Sequence, residues 1–196
     1  MSINNLIKIK KENCVFLIVD MQNDFIVEGA PIECPGGRDM IPAIQRFKAW
    51  CREHDVPVVY TQEVHRPEKI DYGLELERNE AEHCLEGTAG VEFVEELVPD
   101  AGDFVIRKRR YSAFYLTDFE VLLKGLKKDV IIIAGAATNV CVYASALDAL
   151  QRDMYVVVLS DCVAGSNIEL HHAFLKNIDY VIGDVVTSNE FMDTVT

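Results

Sequence analysis

Asp20, Lys108 and Cys141 are the residues of this chain whose types could together do chemistry. Asp20 ends the apolar run VFLIVD (15–20), Lys108 ends FVIRK (104–108), and Cys141 follows VIIIA (130–134) after the turn GAATNV. An acid, a cation and a thiol supply the parts of nucleophilic acyl transfer: a cation and a helix N-terminus lower the thiol pKa, and a carboxylate carries its proton away. Each also has a plain structural alternative, as a loop-capping carboxylate, a solvated lysine or a packed cysteine. Arg107, Arg109 and Arg110 flank Lys108, so composition does not say which cation points inward. A shared location is what would make these residues a site.

That location depends on the elements. Apolar, β-branched runs at 15–20, 56–61 (VPVVYT), 104–108, 130–134 and 155–160 (YVVVLS) read as strands covered on both faces, because their apolar residues are successive rather than alternating. Between them lie helical stripes: Ile41, Ile44, Lys48 by its apolar stem, and Cys51; Phe119, Leu122, Leu123 and Leu126; Val140, Ala144, Leu147 and Leu150. The order β-α-β-α predicts an α/β fold, a three-layer α/β/α arrangement around a mostly parallel, doubly wound sheet of about six strands. Such sheets gather ligands at the carboxyl ends of their strands, where Asp20, Lys108 and Cys141 all fall.

The chain of 196 residues, 49% hydrophobic, is long enough for one sizeable core. Residues 1–13 read as an N-terminal arm and 14–196 as a single domain. A net charge of −13 is unfavourable for nucleic acid and for anionic membrane surfaces, and neither is an expected partner. No long apolar segment marks a signal peptide or a membrane span, so a cytoplasmic protein is expected. The six cysteines, Cys14, Cys34, Cys51, Cys84, Cys141 and Cys162, contain no C-x-x-C pair and read as free thiols, mostly small core residues. The stretch 62–101, punctuated by Pro67, Gly73, Gly87, Gly90 and Pro99, reads as a lid or wall over the site, with a short helix at 91–97.

VDMQNDF (19–25), KRRYSAF (108–114) and GAATNVCV (135–142), in that order, resemble the motifs of the isochorismatase-like cysteine hydrolases, and HCLEGTAGVEFVEEL (83–97) extends the resemblance into the lid. The resemblance implies a catalytic triad of Asp20, Lys108 and Cys141 in a cysteine-dependent amidohydrolase. Asp20 would take the thiol proton, the thiolate would attack a carboxamide or carbamoyl carbon, ammonia or an amine would leave, and water would resolve the thioester. It also implies an oxyanion hole from the backbone N–H groups of Ala137 and Cys141, with a cis peptide between Ala136 and Ala137. The plainer reading of GAATNV is a strand-to-helix turn with Thr138 or Asn139 as N-cap; the two are compatible.

Within the family, isochorismatase itself works without a cysteine nucleophile, so Cys141 points to the amide-cleaving branches. VHRPEKIDYGLE (64–75) and RRYSAFYLTDF (109–119) look closer to the N-carbamoylsarcosine, ureidoacrylate and biuret amidohydrolases, which need no cofactor. Phe25, Tyr111 and Phe114 are then candidate pocket walls, and Arg66 and Arg110 candidates to grip a substrate carboxylate. The alternative is a metal-assisted nicotinamidase, which the H-C-L-E-G-T motif resembles. In that branch a divalent metal such as zinc would be held by Glu63, His65 and His83, with glutamate standing where the family has aspartate. Without the metal these are a salt-bridged Glu63, a hydrogen-bonded His65 and a lid-anchoring His83. A reading of another class is a catalytically silent relative serving as a binding or assembly module. The resemblance further implies a homodimer or homotetramer, with the helix face at 143–149 a candidate contact.

Overall fold

The computed structural model describes residues 6–78 and 80–195. Six parallel strands, β1 (Cys14–Val19), β2 (Val58–Glu63), β3 (Phe104–Lys108), β4 (Val130–Ala136), β5 (Tyr155–Ala164) and β6 (Asp184–Val186), form one sheet in the order β3-β2-β1-β4-β5-β6. The helices are α1 (Asn23–Ile26), α2 (Ile41–Glu53), α3 (Phe119–Leu126), α4 (Tyr143–Leu150), α5 (Ile168–Val181) and α6 (Ser188–Thr194). Along β1, Cys14, Phe16 and Ile18 join the core under α2 and α6, while Val15, Leu17 and Val19 join the core under α3, α4 and α5. Successive side chains point to opposite faces and both faces are covered, so all six β1 residues are buried. Of the segment read as an arm, Leu6 and Ile9 lie in the first of these cores.

Three local expectations differ from the structure. β3 is an edge strand, and Phe104, Val105 and Arg107 are exposed while Ile106 and Lys108 are buried. Segment 91–97 holds only a turn at Glu95–Leu97. Its backbone bonds outward instead: Val94 N donates to Met21 O, Glu92 O accepts from Asn23 N, and Val91 O accepts from the Gln22 and Gln62 side chains, so a helix would lose these partners. On α4 the buried residues are Ser145, Ala146 and Ala149, whereas Leu147 is half-buried and Leu150 is 36% exposed. Small side chains let this helix lie close to its neighbours, and Ser145 Oγ accepts a hydrogen bond from Ala113 N at 2.9 Å.

The chain order reverses between β1 and β4, which start the two halves of the sheet, and their register brings Val19 opposite Gly135. Gly135 has φ of 111°, and a Cβ there would sit 2.0 Å from Val19 O. Only glycine suits both the conformation and the approach. Gly135→Ala is expected to cost about 3 kcal/mol, lowering the calorimetric melting temperature by roughly 6–12 °C; an unchanged transition would contradict this. Among the described residues no helix is long and apolar enough to cross a membrane.

Candidate active site

The crevice beyond the carboxyl ends of β1 and β4, where the sheet changes direction, is where a doubly wound sheet leaves room for a ligand. Asp20 directly follows β1, Lys108 is the last residue of β3, and Cys141 lies in the wide helical turn Thr138–Val142 between β4 and α4. Asp20 takes φ of 46°, a left-handed conformation that aspartate tolerates better than most residues. Its N–H donates to Thr61 Oγ1 at 3.1 Å, and that hydroxyl donates back to Asp20 Oδ1 at 2.7 Å. The Ala136–Ala137 peptide is cis.

Lys108 joins the three groups. Its Nζ lies 2.7 Å from Asp20 Oδ2, 3.5 Å from Cys141 Sγ and 2.6 Å from Glu63 Oε2. Asp20 Oδ2 thus meets the ammonium as a buried ion pair, while Oδ1 is held by the Thr61 hydroxyl. Glu63 ends β2 directly opposite Lys108 in the strand register, and its Oε2 is 3.7 Å from Cys141 Sγ. Its other oxygen, Oε1, lies 3.2 Å from His65 Nε2 and 3.0 Å from His83 Nε2. From sequence Glu63 is a salt-bridged or metal-binding candidate; the structure brings it into contact with Lys108 and the Cys141 thiol.

The electrostatics follow from these partners. Burial pushes the Asp20 carboxyl up, and Lys108 opposes without prevailing. Burial also works against ionised Glu63, but Lys108 and the two histidines outweigh it and hold this carboxyl well below its usual range. Asp20 lacks those two imidazole donors, which is why two acids on one lysine move in opposite directions. Burial raises Cys141 well above an ordinary thiol; Lys108 pulls it down, and Asp20 and Glu63 push it up. The expected thiol-lowering influence of the cation is therefore present but outweighed, and the resting group is a thiol whose Sγ donates to Glu63 Oε2 at 3.7 Å. Burial lowers Lys108, yet Asp20, Cys141 and Glu63 carry it well above its ordinary value.

His83 Nδ1 is 2.7 Å from Ala81 O while its Nε2 faces the Glu63 carboxylate, so both ring nitrogens meet acceptors. Burial lowers its pKa, and Glu63, the Ala81 carbonyl and Glu80 together raise it by more, favouring the imidazolium. With Nε2 deprotonated, the same arrangement is a ligand set. Glu63, His65, Glu75 and His83 each offer an atom within 4.8 Å of the others. Zinc bonds of about 2.0–2.2 Å separate tetrahedral ligands by roughly 3.3 Å, close to the 3.0, 3.2 and 3.6 Å found between Glu63 or Glu75 oxygens and the imidazoles. Glu75 Oε1 is buried without a hydrogen-bond partner, and burial followed by the Glu63 charge pushes its carboxyl up to about 6. The donors thus fit a divalent cation. Glu75 was not singled out from sequence, since nothing in DYGLELE separates it from its acidic neighbours.

A cavity of about 410 Å³ opens above Cys141. Phe25 and Tyr111 line it, as do Ala137 and Cys141, the residues expected to supply the oxyanion hole. Phe114 does not: it is buried against Phe119, ring centroids 4.9 Å apart, with the Arg152 guanidinium over its face. Arg66 is paired with Asp71 at 2.7 Å, and Arg110 binds the carbonyls of Asp71 and Arg109. The lid contributes Glu80 and His83, and an unanticipated wall comes from Pro31, Ile32, Glu33 and Cys34. The Gly and Pro punctuation at 29–37 is the sequence signal that could have marked that second loop. The polar residues of VDMQNDF stitch the lid down: Gln22 Nε2 donates to Glu63 O and Val91 O, and Asp24 Oδ2 accepts from Cys84 N.

Comparison with known proteins agrees with this architecture. Residues 14–190 match the Isochorismatase domain. Maleamate amidohydrolase from Pseudomonas putida is 31% identical over 178 residues, covering 90% of this chain and 84% of that protein. An isochorismatase-like hydrolase from Alkaliphilus metalliredigens superposes with a TM-score of 0.85 at 34% identity, over 92% of this chain and 98% of the other. Pyrazinamidase of Pyrococcus horikoshii, solved in complex with zinc, gives 0.81 at 29% identity, covering 89% of this chain and 99% of that one.

Proposed function

The chain belongs to the isochorismatase-domain family, and we propose that it is a cysteine-dependent amidohydrolase cleaving a C–N bond in a small amide or ureido compound. The observation that carries this reading is Lys108 Nζ held 2.7 Å from Asp20 and 3.5 Å from Cys141 beneath an open cavity. Asp20, whose buried carboxyl has a raised pKa, takes the Cys141 proton, and the Lys108 ammonium stabilises the thiolate. The thiolate attacks the carbonyl carbon, and the oxyanion forms against the N–H groups of Ala137 and Cys141. Collapse breaks the C–N bond as Asp20 returns its proton to the departing nitrogen, leaving a thioester. Water then attacks the acyl carbon, giving a proton to Asp20; the C–S bond breaks, and the proton returns to the thiolate.

Glu63 serves this sequence without being the base. Three donors, from Lys108, His65 and His83, keep it ionised, so it fixes the ammonium between Asp20 and Cys141.

The unpartnered Glu75 Oε1 favours a second reading, the metal-assisted nicotinamidase. Glu63 Oε1, His65, His83 and Glu75 would hold the cation, and a bound divalent cation would supply Lewis acidity or anchor the substrate there. Ammonia release from nicotinamide, N-carbamoyl amino acids, ureidoacrylate and biuret, with and without chelator, distinguishes the readings. The expected result is release from a ureido compound that chelator leaves unchanged. Nicotinamide turnover lost with chelator and restored by zinc would replace the first reading with the second.

A further inference from the structure

The cavity walls carry a charge pattern that bears on the substrate. Glu80 Oε1 accepts a hydrogen bond from the Tyr111 hydroxyl at 3.2 Å, and both residues line the cavity. Burial, followed by Glu80, pushes the Tyr111 hydroxyl up, so it remains a donor and holds the carboxylate in place. Glu33, on the opposite loop, lines the same space, with its Oε2 accepting from Gly29 N at 2.8 Å. Glu63 is the third carboxylate of the wall, but Lys108 offsets it from beneath. Among the described residues no lysine or arginine lines the cavity, and the candidate cations for gripping a carboxylate, Arg66 and Arg110, are engaged elsewhere. His83, the cationic member of the wall, is paired with Glu63 at 3.0 Å, so the lining charges left without an ion-pair partner, Glu33 and Glu80, are negative, in a chain whose net charge is −13.

We propose that the cavity accepts amides and ureido compounds whose far end is uncharged or cationic and rejects those bearing a carboxylate, with Glu80, fixed by Tyr111, as the group that reads the charge. This rests on Cys141 being the reactive thiol at the cavity floor. A like charge facing Glu80 inside low-dielectric walls is repelled more strongly than in bulk water, whereas an ammonium or an N–H donor finds an acceptor there.

Thiol reagents of one reactive type and three charges test this without a known substrate. Cys141 is labelled with cationic 2-aminoethyl, neutral methyl and anionic 2-sulfonatoethyl methanethiosulfonate. Each rate, read by mass spectrometry of the Cys141 peptide, is divided by that reagent's rate with 2-mercaptoethanol. The expected order is cationic, neutral, anionic, with about a tenfold span between the extremes. Glu80→Gln should narrow that span at least about threefold, and Glu80→Lys should reverse the order. A wild-type ratio of one or less overturns the proposal, as does a span that Glu80→Lys leaves intact. If Cys141 reacts with none of the three reagents, the nucleophile reading beneath the proposal fails instead.

Discussion

Cys141→Ala is expected to abolish ammonia release from any compound the protein turns over, a fall of at least about 10⁴-fold in kcat, while the melting temperature changes little. The size follows from the proposed role: without the sulfur there would be no bond to the acyl carbon, and the proposed oxyanion donors and the cavity would offer only positioning to an attacking water. The small effect on stability follows from the site, where the side chain lost is small and the ion pairs of Lys108 with Asp20 and Glu63 persist. Cys141→Ser is expected to be similarly inactive, because a serine hydroxyl is much harder to ionise beside two carboxylates. Steady-state ammonia release read together with calorimetry checks the pair. Retained turnover in Cys141→Ala would remove the covalent mechanism, and wild-type protein that released no ammonia and whose Cys141 reacted with iodoacetamide no faster than its other thiols would favour a silent relative.

Glu63→Gln is expected to lower kcat by about 100-fold with little change in KM, and to slow iodoacetamide alkylation of Cys141, because losing a fixed ammonium beside the thiol outweighs removing a carboxylate that raises the thiol pKa. The amide keeps the length of the side chain but loses the charge that binds Lys108 at 2.6 Å, so the ammonium is no longer fixed between Asp20 and the thiol. Glu63→Asp keeps the charge and shortens the reach by one methylene, and its activity should fall between wild type and Glu63→Gln. Removing one partner of a buried ion pair also costs roughly 3–5 kcal/mol, so rates are compared well below each variant's melting transition. A purely structural Glu63 would lower stability while leaving the alkylation rate of the folded protein unchanged, and that result would remove it from the mechanism.

Much of the architecture can be read along the chain because it depends on local chemistry. Successive β-branched residues at 15–19 and 130–134 have one stable setting, a strand covered on both faces, and β1 and β4 take it. Edge position, by contrast, belongs to the sheet: FVIRK looks like any other strand until its place beyond β2 exposes Phe104 and Val105. Helix 91–97 failed for a related reason, since its apolar spacing is real but its backbone groups bond to the segment around Met21–Asn23 and to Gln62.

At the site, residue type and strand-end position made Asp20, Lys108 and Cys141 candidates, because a strand's carboxyl end is a local property and parallel strands share their ends; the family resemblance, not composition, preferred Lys108 to its arginine neighbours. Only the tertiary structure decided what surrounds them. The register of β2 on β3 sets Glu63 against Lys108, and the lid turns His83 and Glu80 toward the cavity while Arg66, Arg110 and Phe114 are used elsewhere. The physical reason is that a side chain's type is written at its own position, whereas its charge state and direction are set by partners tens of residues away.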